Sequence, residues 1–339
     1  MNSNSLVQLT LIRFREFMRE PEAVFWTFIF PVLLAAGLGI AFRNRPPEMV
    51  KVATTDPAIR ASLSREKTLS VELLDAKDAG EALRMGRVLV LIAPGNPVTY
   101  TYDNTNADAR VARLLADRAI QAAAGARPAV DAADRIVSEP GSRYIDFLIP
   151  GLLAMNLLGS GIWGMGFAIV DARRKKLLKR LVASPMPRWQ YLLSFVCSRL
   201  VLLVAEVAVL LGFGAWVFGV PVRAPIWQIG LLALIASLMF GALGLLLAAR
   251  PKTIEGVSGL MNLVMLPMWV CSGVFFSASR FPDAVQPFIQ LLPLTAAVNS
   301  LRASMLQGTA LSQLGNEVAI MMGWLTVSFF VALRLFRWR

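Results

Sequence analysis

Few of the side chains that usually do chemistry are present, and those few sit in unusual surroundings. Histidine is absent from all 339 residues, which removes the commonest general base, pH switch and transition-metal ligand. Cys197 and Cys271 each lie inside an apolar run; two such thiols make neither a disulfide framework nor a zinc cluster and read as packing residues. No Gly-Lys dipeptide occurs, whereas a phosphate-cradling loop needs that lysine behind a glycine-lined turn. Glu206 is the acidic residue near the middle of a long apolar run. A charge at such depth costs at least ~2.5–3.5 kcal/mol on insertion scales, so the residue must face other helices or a water-filled cavity. Arg199 lies two helical turns earlier on the same face and can carry its charge outward along its stem. A proton or substrate site and a hydrogen-bonded structural group are both open for Glu206, and Asn156 and Asn262 pose the same choice.

The elements that would hold these residues are apolar helices. The chain is 56% hydrophobic and 17% charged, against about 25% charged in ordinary soluble domains. Residues 1–21 open with Val7, Leu11, Phe14 and Met18 on one helical face and Gln8, Arg15 and Arg19 opposite, the pattern of an amphipathic helix in a membrane interface. Residues 22–42 carry no charge after Glu22, and at ~1.5 Å per residue they are long enough to cross a ~30 Å hydrocarbon core. With Glu16 and Glu20 in the helix before it, this first span is expected to be retained rather than cleaved as a signal. Five further stretches are long enough to cross: 144–170, 192–220, 226–249, 256–276 and 316–336. Residues 277–315, broken by Pro282, Pro287 and Pro293, read as short helices dipping into the outer interface.

Residues 43–143 differ in kind, with 15 Lys/Arg against 13 Asp/Glu. Strands are expected at 50–53, 71–74, 88–93 and 98–102, and helices at 57–67, 75–85 and 106–124. Alternating strands and helices predict a small α/β domain. The expected fold class is therefore a polytopic α-helical membrane protein of six transmembrane helices, with a small α/β extracytoplasmic domain between the first and second spans. Orientation follows from the short loops. Fifteen basic residues fall on the side of the N-terminus and three, Arg223, Arg280 and Arg302, on the other, so both termini are expected in the cytoplasm and residues 43–143 outside. The net charge of +12 is then explained by insertion into a cell (inner) membrane, with no nucleic-acid partner required.

The cytoplasmic loop 171–191 holds the densest basic cluster. Leu177, Leu178, Leu181 and Val182 form one stripe, Arg173, Lys176 and Arg180 the other face, and Pro185 and Pro187 end the helix. It could anchor on lipid phosphates or dock in a groove on a cytoplasmic partner. In the second span, Gly159-Ser-Gly-Ile-Trp-Gly-Met-Gly offers small residues for close helix approach.

Four strings, in order, carry a resemblance: the amphipathic start, Tyr-Ile-Asp-Phe-Leu-Ile-Pro-Gly-Leu at 144–152, Leu-Lys-Arg-Leu-Val-Ala-Ser-Pro at 178–185, and Cys-Ser-Gly-Val-Phe-Phe at 271–276, with Leu-Leu-Pro-Leu-Thr and Leu-Arg-Ala following. Across essentially its whole length the chain resembles the permease subunits of type-2 ATP-binding-cassette (ABC) exporters. The resemblance implies an ATP-driven exporter whose ATP and magnesium sit on a separate cytoplasmic ATPase subunit, with no cofactor in this chain, and whose permease pairs with a second copy, the same or different. It implies that residues 173–186 are a coupling helix docking on the ATPase, which makes Arg173, Arg174, Lys176, Leu177, Lys179, Arg180, Leu181, Ala183, Ser184 and Pro185 the coupling residues. Many members carry Gly-Thr-Leu-Glu where this chain has Lys176-Leu-Leu-Lys179, so an acidic groove is expected on the partner. In related exporters the second and fifth spans line the pathway, which makes Asn156, Trp163, Asn262 and Met265, with Glu206, its candidate lining. The Met, Phe and Trp content suits an amphipathic or hydrophobic cargo and equally suits a lipid-facing surface. Two rivals are an ion-gradient-driven secondary transporter, which would show internal repeats and several intramembrane charges, and a membrane-anchored sensor with an external ligand-binding domain.

Overall fold

The computed structural model describes residues 3–42, 49–66, 68–126, 143–174, 188–251 and 253–335. The described chain forms two units, one of residues 1–43 with 138–339 and the other of residues 44–137. The coupling candidates from Lys176 to Pro185 lie outside the described residues; Arg173 and Arg174 lie inside them.

The first unit is helical. Helix α1 spans Ser3–Arg19, and α2, Pro21–Ala41, is the first of six helices among the described residues that are long and apolar enough to cross a membrane. The others are α6 (Tyr144–Arg174), α7 (Arg188–Phe218), α8 (Ile226–Leu247), α9 (Ile254–Cys271) and α12 (Gly315–Leu335). Within α2, Phe25–Ile29 widens into a π-turn in which the Phe30 N–H donates to the Phe25 carbonyl. The cause is Pro31, which has no N–H for the carbonyl four residues back and whose ring needs room there.

Helix α6 is the axis of the unit. The apolar part of α6 is 83% buried, against 17% for α12, although both sequences are apolar on nearly every side. The difference is set by small residues. An added Cβ at Gly161 would come 2.7 Å from Phe240 Cβ, and one at Gly244 would come 2.7 Å from the Ile162 carbonyl oxygen. So α6 and α8 touch backbone to backbone, an approach only glycine permits. Gly166 instead receives the end of the Met261 side chain of α9, and Gly151 lies against the Val274 backbone. Gly159 and Gly164 face open space, so only part of the small-residue run is a contact surface. Helix α8 also packs along α12, α1 along α7, and α2 along α6.

Between α9 and α12 the chain forms short helices, among them α10 (Gln286–Gln290) and α11 (Pro293–Arg302). Eight of the ten residues of α11 are buried, and it packs on both α6 and α12. This piece is therefore part of the helical core. The irregular end that follows it is fastened by Gln228 of α8, whose Nε2 donates to Ser304 Oγ at 2.9 Å and to the Thr309 carbonyl at 2.7 Å.

The second unit is an α/β fold. Strands β1 (Val50–Thr54), β2 (Leu69–Leu73), β3 (Val90–Ala93) and β4 (Thr99–Tyr102) form one sheet in the order β2-β1-β3-β4, with β4 antiparallel and the rest parallel. Helices α3 (Pro57–Leu63) and α5 (Ala107–Ala123) cover the face of Val52, Val90 and Ile92. Helix α4 (Ala76–Arg84) brings Ala82 to Ala53 on the other face. Asp56 and Asn106 start α3 and α5 by accepting from the Ala58 and Asp108 N–H groups at 2.7 and 2.9 Å, the usual remedy for unpaired donors at a helix start. Tyr100 donates to Asp117 Oδ1 at 3.0 Å, and burial, with the Asp117 carboxylate second, pushes its hydroxyl up to about 12.

Candidate functional site

Three partly buried arginines brace the helical unit, and α6 takes part in every brace. The middle one surrounds Glu206. Arg199 Nη1 lies 3.0 Å from Glu206 Oε1, one residue of the pair having a fully buried side chain and the other a 19% exposed one. The remaining guanidinium donors reach Ser160 Oγ on α6 at 2.6 Å and Ser237 Oγ on α8 at 3.0 Å. Ser160 in turn lies 2.9 Å from Glu206 Oε2 and 2.7 Å from the Asn156 carbonyl; its one hydroxyl proton serves one of those two at a time. The group therefore joins α6, α7 and α8 through a compensated ion pair. Arg199 points inward to that pair, so the expectation that it reaches outward along its stem is corrected. The reason is energetic: a partner seven residues away on the same helix and two hydroxyls on neighbours satisfy the guanidinium in place.

Of the pathway candidates, Asn156 and Glu206 are buried, and Ser160 lies within bonding distance of the Glu206 carboxylate and of the Asn156 backbone carbonyl. Trp163 and Met265 meet each other, the indole N–H donating to Met265 Sδ at 2.9 Å, with Phe167 edge-on to Trp163 at 5.0 Å. Asn262 stands apart on the exposed face of α9. Ser160 and Ser237 were invisible to sequence reasoning, because serines are frequent in apolar helices and nothing local announces a partner on another helix.

The second brace is Arg302 on α11. Its Nη2 donates to the Phe147 carbonyl at 3.1 Å and the Gly273 carbonyl at 2.8 Å, and its guanidinium stacks 3.6 Å above the Phe147 ring. Burial lowers it to about 10, still charged at neutral pH. Gly273 adopts φ +76° in the turn that ends α9, a conformation suited to glycine. Tyr144 adds a bond from its hydroxyl to the Phe275 carbonyl at 3.0 Å, so the same turn is held by α6 as well. Nearby, Arg143 pairs with Asp146 at 2.8 Å and donates to the Gly219 carbonyl at 3.1 Å. A cavity of about 200 Å³ lies beside it, lined by Gly39, Phe42, Arg143, Tyr144, Ile145, Val217 and Phe218. That is below the ~300–1,000 Å³ of small-molecule sites.

The third brace lies at the other end of α6. Arg173 is half-buried and its burial lowers its basicity; Arg174 beside it is exposed. The Arg173 guanidinium donates to the carbonyls of Ala248, Pro251 and Ala249 at 3.3, 3.0 and 3.4 Å. Among the described residues no three His, Cys, Asp or Glu side chains gather as a metal site would need.

Comparison with known proteins accords with this architecture. Residues 22–335 match the family model of the ABC-2 family transporter proteins. ABC transporter G family member 20 of Dictyostelium discoideum is 27% identical over 199 residues, which is 58% of this chain and 27% of that protein. The inner membrane transport permease YadH of Escherichia coli is 24% identical over 175 residues, 50% of this chain and 65% of the permease. The linearmycin resistance permease protein LnrN of Bacillus subtilis is 24% identical over 174 residues, 51% of this chain and 45% of the permease. The matched part thus spans about a quarter of the first relative and just under two thirds of the second. With the family model covering nearly the whole sequence and six apolar helices of spanning length among the described residues, the chain belongs to the ABC-2 family of transporter proteins.

Proposed function

We propose that the chain is the membrane-spanning permease subunit of an ATP-driven exporter, with the loop 171–191 docking on a cytoplasmic ATPase that carries the ATP and magnesium. Two permease copies, identical or related, flank the pathway. The observation that carries this reading is the asymmetry of basic residues: fifteen on the side of the N-terminus against three assign the leucine-striped loop to the cytosol. Closure of the ATPase pair would then move the two loops together, and the helices would turn that movement into alternate exposure of a path. The α/β unit lies outside the cytoplasm in this reading, where it gates the exit, binds cargo or meets an external partner.

The cargo is amphipathic or hydrophobic, drug-like or lipid-like, and leaves the cytoplasm or inner leaflet. The Met and aromatic content of the helices supports this, as does similarity to a permease named for linearmycin resistance. An ion-gradient drive gains no support from Glu206, whose carboxylate is already matched by Arg199. Purification from native membranes tests the reading. An ATPase should accompany the chain in stoichiometric amount, and its absence from a transport-competent preparation would overturn the proposal.

A further inference from the structure

Arg173 comes just before residues 175–187, yet its guanidinium bonds within the helical unit. It holds three carbonyls of one turn, those of Ala248, Ala249 and Pro251 at 3.3, 3.4 and 3.0 Å. These lie where α8 ends and α9 has yet to begin. The last carbonyls of a helix have no intrahelical partner and carry its negative partial charge, so a planar cation with several diverging N–H groups suits them, whereas an ammonium on a flexible stem does not. Ala248 and Ala249 are buried, so water does not compete freely for those carbonyls. Two residues past Pro251, Thr253 Oγ1 accepts from the Gly256 N–H at 3.2 Å and starts α9. The turn is thus short and defined at both ends.

The surrounding packing says what this bond adds. Helix α8 already meets α6 backbone to backbone at Gly244 and Gly161, and Met261 of α9 seats on Gly166 of α6. Those contacts lie about two to three turns before Arg173 and leave the α8–α9 turn itself held to α6 by the guanidinium among the polar contacts of the described residues. We infer that Arg173 is a positioning residue: it bolts the α8–α9 turn to the end of α6, so that displacement of the following loop carries α6, α8 and the start of α9 as one block. This rests on the reading of 171–191 as the site where force enters; on its own terms it assigns Arg173 to the interior and removes it from the docking face.

The test uses the full chain with its ATPase in lipid discs, with Cys197 and Cys271 replaced by serine. Spin labels are placed at G164C, where a side chain meets open space, and at E255C, which is exposed. With Arg173 present, the distance between labels should be narrow without nucleotide and unchanged after trapping with ATP and vanadate. Arg173→Gln should raise the population of a second, longer distance about tenfold, equal to about 1.4 kcal/mol. Arg173→Lys should give an intermediate population, since one ammonium can reach part of the carbonyl set. A distribution in Arg173→Gln as narrow as that of the native residue, without nucleotide, would overturn the bolt whether or not an ATPase binds. A distance that changes on trapping with Arg173 intact would overturn the single-block movement. Failure of any ATPase to join the native chain would instead overturn the functional reading, and the nucleotide-free comparison would still decide the bolt.

Discussion

Replacing Glu206 by alanine leaves the Arg199 guanidinium among α6, α7 and α8 without its carboxylate. Breaking a buried pair from one side costs ~3–5 kcal/mol, because the remaining charge is desolvated and uncompensated. Here the low end applies. Ser160 and Ser237 still accept from Arg199 at 2.6 and 3.0 Å, and its side chain is 19% exposed. Removing one hydroxyl, as in Ser160→Ala, should cost much less, about 0.6 kcal/mol and no more than ~1.7, the range found for hydrogen bonds between helices in membranes. Replacing both charges with apolar residues of similar size, Arg199→Met with Glu206→Leu, should be neutral or stabilising by up to ~4 kcal/mol. Unfolding of the purified protein by SDS in bicelles gives these free energies, and the single changes Arg199→Met and Glu206→Leu close the double-mutant cycle. If Glu206→Ala costs no more than Ser160→Ala, or if the double replacement costs the sum of its two single changes, the ion pair is not the joint between these helices.

The other expectations follow from equally local features. Gly244→Val should destabilise the fold by ~1–3 kcal/mol or more, since its Cβ would lie 2.7 Å from the Ile162 carbonyl; Gly159→Ala, facing open space, should be tolerated, and thermal melts of the two variants compare them directly. Tyr100 is raised to about 12, so the folded α/β unit favours its neutral form. The stability this confers is complete below the ordinary tyrosine range near pH 10 and is lost as pH rises toward 12, and circular dichroism should show a smaller alkaline loss in Tyr100→Phe. Met85, 71% exposed in the α/β unit, should react as M85C with a membrane-impermeant maleimide added to intact cells, in a background without Cys197 and Cys271. Labelling only after the cells are opened would reverse the proposed orientation.

Much of this molecule could be read from residue types because its determinants are local. A run such as 22–42 must be a helix if it is apolar and long, since unpaired backbone groups are too costly in lipid. The apolar β-branched run 88–93, stopped by Pro94-Gly95, marks a strand by the same kind of neighbour-to-neighbour reasoning, and the observed strand covers Val90–Ala93. What could not be read is which apolar helix lies inside. Helices α6 and α12 have comparable composition, and their burial differs because Gly161, Gly166 and Gly244 allow contact at distances no local pattern reports. The site divides the same way. The spacing of Arg199 and Glu206 was visible, but their serine partners sit on two other helices. Arg173 falls in the stretch that the resemblance makes a coupling helix, and the carbonyls it bonds carry no sequence signature.

Reversal of charge at Lys179 and Arg180 tests the docking loop without disturbing any contact described above. The measurement is ATP hydrolysis by the permease–ATPase complex reconstituted in liposomes, with native and K179E/R180E permease compared at equal complex content. Hydrolysis stimulated by the permease should fall to the level of the ATPase alone, and charge reversal of acidic residues on the ATPase groove should restore part of it. Stimulation equal to that of the native permease would mean that force does not enter through residues 171–191.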